Sequence, residues 1–212
     1  MASIADIRRE YMRHSLNEHE VLKEPLAQFQ VWFNEALDAQ VDEANAMTLA
    51  TATAGGTPSA RIVLLKGVDD RGFTFYTNYN SAKGRQLSEN PQAALVFFWK
   101  ELERQVRISG PVSRLSEEES DEYFSSRPEG SRIGAWSSPQ SEEIASREIL
   151  NNWVTEREQM FKGNSIERPP FWGGYLVKPV LVEFWQGRPN RLHDRLLYSL
   201  AEGAWSIKRL AP

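Results

Sequence analysis

Two hydrophobic rhythms follow one another along this chain of 212 residues. From Pro25, "PLAQFQVWFNEALDAQ" places Leu26, Phe29, Trp32 or Phe33, and Ala36 or Leu37 at helical spacing. With proline in the first turn, this predicts an amphipathic helix. The rhythm then changes. "AMTLATATA", "SARIVLLKGV" and "GFTFYTN" are rich in Thr, Val, Ile and aromatic residues, with "AGGTP" and "DDRG" between them. That is the pattern of antiparallel strands joined by tight turns. "SAKGRQLSENP" predicts a short helix stopped before Pro91, and "QAALVFFWK" and "ERQVRISGPVSRL" two further strands. Ser116 and Glu119 form a capping-box signature at the head of "SEEESDEYFSSRP", and residues 141–162 predict another helix. The last third is β again: "GGYLVKPVLVEFWQ", the turn "GRPN", "RLHDRLLYSL" and "AWSIKRLAP". Consecutive antiparallel strands with intervening helices predict a mainly β, α+β barrel with peripheral helices. Residues 25–212 read as one domain behind a polar, mobile arm over 1–24. Neither the Rossmann glycine fingerprint nor a P-loop is present.

Composition narrows the partners. The formal charge is −4 and apolar residues make up 41%, enough for a core but not a basic field for nucleic acid. An anion site must therefore be assembled locally from a few Lys and Arg. There is no cysteine, so disulfides and thiolate ligands are excluded. "MASIADIRREYMRH" lacks the apolar stretch of a secretory signal, and no apolar run approaches the ~20 residues of a membrane span. The expectation is a soluble, cytoplasmic protein without a membrane or nucleic-acid partner. His14, His19 and the remote His193 make no metal-ligand pattern, so no metal is expected.

The candidate chemistry is a scatter of cations among hydroxyls, amides and indoles. Alternation along "RIVLLK" puts Arg61, Val63 and Leu65 on one face and Ile62, Leu64 and Lys66 on the other. The plain reading is a buried strand with charged ends; the functional one is two cations serving two anions. Lys83 stands near a helix start, where amides and dipole favour an anion. Tyr123 and Arg127, four apart before Pro128, share a helical face, and Ser131 follows in a glycine-containing loop. Tyr hydroxyl, guanidinium and Ser hydroxyl suit a phosphate; a helix C-terminus with a dipole-offsetting Arg would look the same. Gln140 and Ser141 fall at a helix start. In "RLHDR", alternation predicts Arg191, His193 and Arg195 in one cationic row with Asp194 opposite.

In order, "RREY", "RIVLLK", "FYTN", "LERQV", "YFSSRP", "IGAW", "QS", "FWGG", "EFWQG", "RLHDR" and "RLAP" resemble the pyridoxine/pyridoxamine 5′-phosphate oxidase family over nearly the whole chain. The resemblance implies an FMN-binding split β-barrel and a homodimer with FMN between subunits. It implies oxidation of pyridoxine 5′-phosphate or pyridoxamine 5′-phosphate to pyridoxal 5′-phosphate, with O2 as acceptor. Hydrogen peroxide is released, and ammonia from the amine. It carries Arg61, Ile62, Val63, Leu64, Leu65, Lys66, Tyr76, Thr77, Lys83, Gln105, Gln140, Ser141, Trp185 and Arg195 to FMN. Lys66, Tyr123, Arg127 and Ser131 go to the substrate phosphate, Arg191 and His193 to the pyridine ring, and Arg8 and Tyr11 to a segment folding over the occupied site. One departure stands out: Ala82 occupies a position where the resemblance expects Arg, leaving Lys83 or Arg85 to meet the FMN phosphate. Two other readings fit part of the pattern. A different flavin enzyme on the same barrel would keep the FMN residues without the phosphate clamp; a carrier or sensor would bind without turnover.

Overall fold

A computed structural model describes residues 14–212. Helix α1 (Pro25–Asp38) is followed by strands β1 (Ala46–Ala52), β2 (Pro58–Leu64), β3 (Gly67–Asp69) and β4 (Gly72–Asn78). Helix α2 (Ala82–Glu89), strands β5 (Gln92–Trp99) and β6 (Arg104–Arg114), and helices α3 (Glu117–Ser126), α4 (Glu129–Ser137) and α5 (Arg147–Phe161) come next. Strands β7 (Trp172–Val177), β8 (Leu181–Gln186), β9 (Asp194–Ala201) and β10 (Ala204–Arg209) close the chain. All pairings are antiparallel, and the main sheet runs β10-β9-β8-β6-β5-β1-β2, with β4 pairing β3 and β7. Strand β6 belongs to both layers. Residues Arg104–Ser109 pair with β8, and Val112–Arg114 with β7. The sheet curls at that shared strand into a split barrel.

Helix α1 fills the curl because its apolar stripe carries large rings. Phe29 meets Phe73 edge-on at 4.9 Å and Phe97 at 5.0 Å, and Trp32 meets Phe184 at 5.1 Å. A second, smaller core of Phe124, Ile133, Ile166 and Trp172 lies under the α3–α5 helices. The outer face of the main sheet is different. One register row reads Ile62, Thr48, Val96, Arg107, Glu183, Leu197, and another Phe98, Gln105, Trp185, Arg195. Ile62 is 65% exposed and Phe98 53%, so this face presents apolar groups without cover.

Four expectations need correction. Strand β2 is a sheet edge with alternately exposed residues, not a buried strand. Residues 141–146 are not helical; Ser146 caps α5, its Oγ accepting from Ile149 N–H. Ser131 lies in helix α4, which starts directly after Pro128. Within the stretch expected as an arm, residues 14–24 are packed on the body: Leu16 is buried and its N–H donates to Asp194. Arg209 also binds Glu18 and the Leu16 carbonyl, and Tyr198 OH donates to the Leu22 carbonyl. Arg8 and Tyr11 lie outside the described residues. Among the described residues, no helix is long and apolar enough to cross a membrane.

Candidate active site

The edge strand β2 runs along a cavity of about 830 Å³. Arg61, Ile62, Val63 and Leu64 form one wall and Lys66 continues it. Alternation put Arg61 and Lys66 on opposite faces. The strand ends at Leu64 and the chain crosses to the other layer, with Lys66 N–H on the Thr74 carbonyl, so both residues border one cavity. Leu65 instead turns into the core. Tyr76 and Thr77, at the end of β4, and Lys83, in the first turn of α2, form the floor. Tyr123, Arg127 and Ser131 come from the α3–α4 junction, and Gln140 from the loop beyond α4.

The electrostatics are one-sided. Arg61, Lys66, Lys83 and Arg127 line the cavity, and no carboxylate of the described residues does. Arg61 donates to Thr51 Oγ1 at 2.6 Å and to the Leu49 carbonyl at 3.2 Å. Lys83 is 8% exposed and donates to Thr77 Oγ1 at 3.3 Å, which in turn donates to Gln140 Oε1 at 3.0 Å. Burial, and then the neighbouring Arg61, hold the Lys83 ammonium below its ordinary pKa; burial does the same to Arg61 and Arg127. Arg127 Nη1 is buried without a hydrogen-bond partner among the described residues. A buried N–H of a cation left open is costly and is matched by an anionic oxygen. Arg85 does not border the cavity; it donates to Glu142 and to the Asn80 carbonyl. Beside Ala82, Lys83 is therefore the cation of that helix turn that borders the cavity. Tyr76 OH is pushed up to about 12, chiefly by burial, and stays protonated.

The remaining site residues gather elsewhere. Gln105, Trp185 and Arg195 stand side by side across β6, β8 and β9. His193 packs on Trp185 with ring centroids 4.6 Å apart. Its Nδ1 accepts from Arg188 N–H at 3.0 Å, which places the proton of the neutral ring on Nε2. Burial, then Arg191, lower its pKa. Arg195 is held by Glu183 at 2.8 and 3.1 Å, and Glu183 also binds Arg107 at 3.0 Å. The single cationic row is not formed. Pro189–Arg191 is a 3₁₀ turn, Asn190 and Arg191 have φ of 55° and 61°, and β9 begins only at Asp194. A left-handed pair breaks the two-residue alternation. Asp194 instead binds Arg209 at 2.7 Å. Neither this group nor Ser141, in its left-handed loop position, borders the cavity. Sequence reading missed Trp172, which lines the cavity; it sits in the quoted "FWGG", to which no role was assigned.

Known proteins resemble this chain over its whole length. A family model described as pyridoxamine 5′-phosphate oxidase covers residues 33–161. A second, the pyridoxine 5′-phosphate oxidase C-terminal dimerisation region, covers residues 172–212. A pyridoxine/pyridoxamine 5′-phosphate oxidase of Cyanothece sp. is 58% identical over 99% of both chains. One from Salinibacter ruber is 58% identical over 100% of both. PhzG from Burkholderia lata, solved with tetrahydrophenazine-1-carboxylic acid, superimposes with a TM-score of 0.89 at 34% identity, covering 95% of this chain and 99% of its own. A pyridoxamine 5′-phosphate oxidase-related FMN-binding protein from Nostoc punctiforme, at 20% identity and a TM-score of 0.69 over 87% of this chain and 97% of its own, shares the fold. Two adjoining family models and full-length relatives agree: the chain belongs to the pyridoxine/pyridoxamine 5′-phosphate oxidase family.

Proposed function

We propose that the protein uses FMN to oxidise pyridoxine 5′-phosphate or pyridoxamine 5′-phosphate to pyridoxal 5′-phosphate in the cytoplasm, with O2 as acceptor. The alcohol yields hydrogen peroxide; the amine consumes water and also yields ammonia. The observation that carries this reading is the cavity with four cations, no carboxylate among the described residues, and an open Arg127 N–H. Two phosphates bring roughly three to four negative charges near neutral pH, a load those side chains match. Arg61 and Lys83 fit the FMN phosphate, and Tyr123, Arg127 and Ser131, with Lys66, fit the substrate phosphate. When bound, FMN supplies a two-electron acceptor for the hydrogen at substrate C4′ that O2 can reoxidise. The chain's own contribution is orientation, which by itself lowers the barrier. Arg191 and His193 would hold the pyridine ring.

Gln105, Trp185, His193 and Arg195 complete this site when supplied by a second copy. The uncovered apolar outer face and the match of residues 172–212 to a dimerisation region support a homodimer with the cofactor between subunits. The deciding assay is simple. The purified protein is loaded with FMN, given pyridoxine 5′-phosphate in air, and followed for aldehyde and peroxide. Flavin uptake without oxygen consumption would favour a carrier; no flavin uptake would overturn the reading entirely.

A further inference from the structure

Trp172 opens β7, is 7% exposed and borders the cavity. Arg127, the C-cap of α3, leaves the helix in an extended conformation and lays its guanidinium 4.5 Å from the Trp172 ring centroid. No carboxylate among the described residues pairs with this half-buried cation. We propose that Trp172 is the positioning residue of the phosphate clamp, a neutral platform that holds the Arg127 guanidinium flat and leaves its in-plane N–H groups open to the ligand. This rests on the reading that Arg127 binds the substrate phosphate.

A carboxylate partner and a phosphate would compete for the same N–H groups. A carboxylate would stabilise the cation through the same in-plane fork that a phosphate needs. An aromatic face stabilises it from above, through the ring quadrupole, and takes no N–H. The open Nη1 is the visible consequence. The platform is itself fixed. The rings of Tyr76, Tyr123 and Trp172 lie within 18° of parallel, with centroids 3.9 to 6.2 Å apart. Phe124 closes on the indole edge-on at 5.2 Å. Arg168 donates to the Trp172 carbonyl at 2.8 Å and to Asp121 of α3 at 2.5 Å, tying the helix that carries Arg127 to the strand that carries the platform. Gly174 keeps room for this stack, since a Cβ there would stand 2.8 Å from the Tyr76 ring.

The test is the series Trp172→Tyr, Trp172→Phe and Trp172→Leu in the FMN-loaded protein. The readouts are KM for pyridoxine 5′-phosphate, competitive inhibition by inorganic phosphate, and FMN Kd. Cation–π strength falls from Trp through the smaller rings to none. KM and the phosphate Ki should rise in that order, by about tenfold at Leu, while FMN Kd shifts less than about threefold. If the Leu variant does not fold, the Tyr and Phe variants still decide. Unchanged KM and Ki along the series would overturn the proposal. So would parallel losses of phosphate and FMN affinity, which mean a wall rather than a platform. Arg127→Leu separates the two levels: if it leaves KM and phosphate inhibition intact, the assignment of the phosphate site itself fails.

Discussion

Lys83 shows how a single residue sets a condition on binding. Its ammonium is held below the ordinary 10.5 by burial and then by Arg61. In the free protein the charge is present below that lowered value and disappears as pH rises through it. In the same window the unfolded chain binds more protons than the folded one, so this group's contribution to stability rises with pH. Binding runs the other way, because a phosphate needs the charged form. FMN Kd, followed by flavin fluorescence from about pH 7 upward, should weaken before 10.5. Lys83→Arg, which keeps its charge, should push that limb upward, and coincident profiles would contradict the assignment. The individual cations were legible in the sequence, since "RIVLLK", "SAKGR" and "YFSSRP" each announce one. Their convergence was not. Arg61, Lys83 and Arg127 reach one cavity only because an edge strand, a helix start and a helix end meet there.

At the scale of elements, most strands and the start of α3 could be read directly. Ser116 and Glu119 do form the capping box, each side chain bonded to the other's backbone N–H. Two of the misreadings share a cause: turn conformations that override a periodic pattern. Asn190 and Arg191 adopt positive φ, so "RLHDR" is turn first and strand second. Ser146 rather than Ser141 caps α5, because Ser141 is itself left-handed at φ 73°. One tight inter-element approach is at Gly110, where a Cβ would strike the Lys178 carbonyl across the β7–β8 connection. That backbone is bound by Lys178 N–H to the Pro111 carbonyl and Val180 N–H to the Ser109 carbonyl. Gly110→Ala should cost about 3 kcal/mol, as overpacking does. Gly130→Ala, in open space within α4, should gain about 0.5–1 kcal/mol from helix propensity. Urea midpoints of the two variants check both signs.

For the whole molecule, the curl of the sheet hides one face in the core and leaves the other for assembly. Phe98 is half exposed on that outer face and lies in register with Gln105 and Trp185. Phe98→Glu should leave the fold intact and split the assembly. Light scattering should then give the 24.2 kDa of one chain in place of twice that mass, with FMN retention lost in parallel. A dimer that persists at low concentration would argue against this face. Nothing in a single sequence says which face of the sheet meets water, because that depends on a second molecule.

Strand β2 carries a hazard as well as a cavity wall. It is a sheet edge, and "RIVLL" combines β-branched and leucine side chains in the kind of short segment that adds to the edge of another chain. Pro58 at its start and Arg61 within it are the gatekeepers against such growth. An edge strand of this composition favours strand addition wherever it is left uncovered.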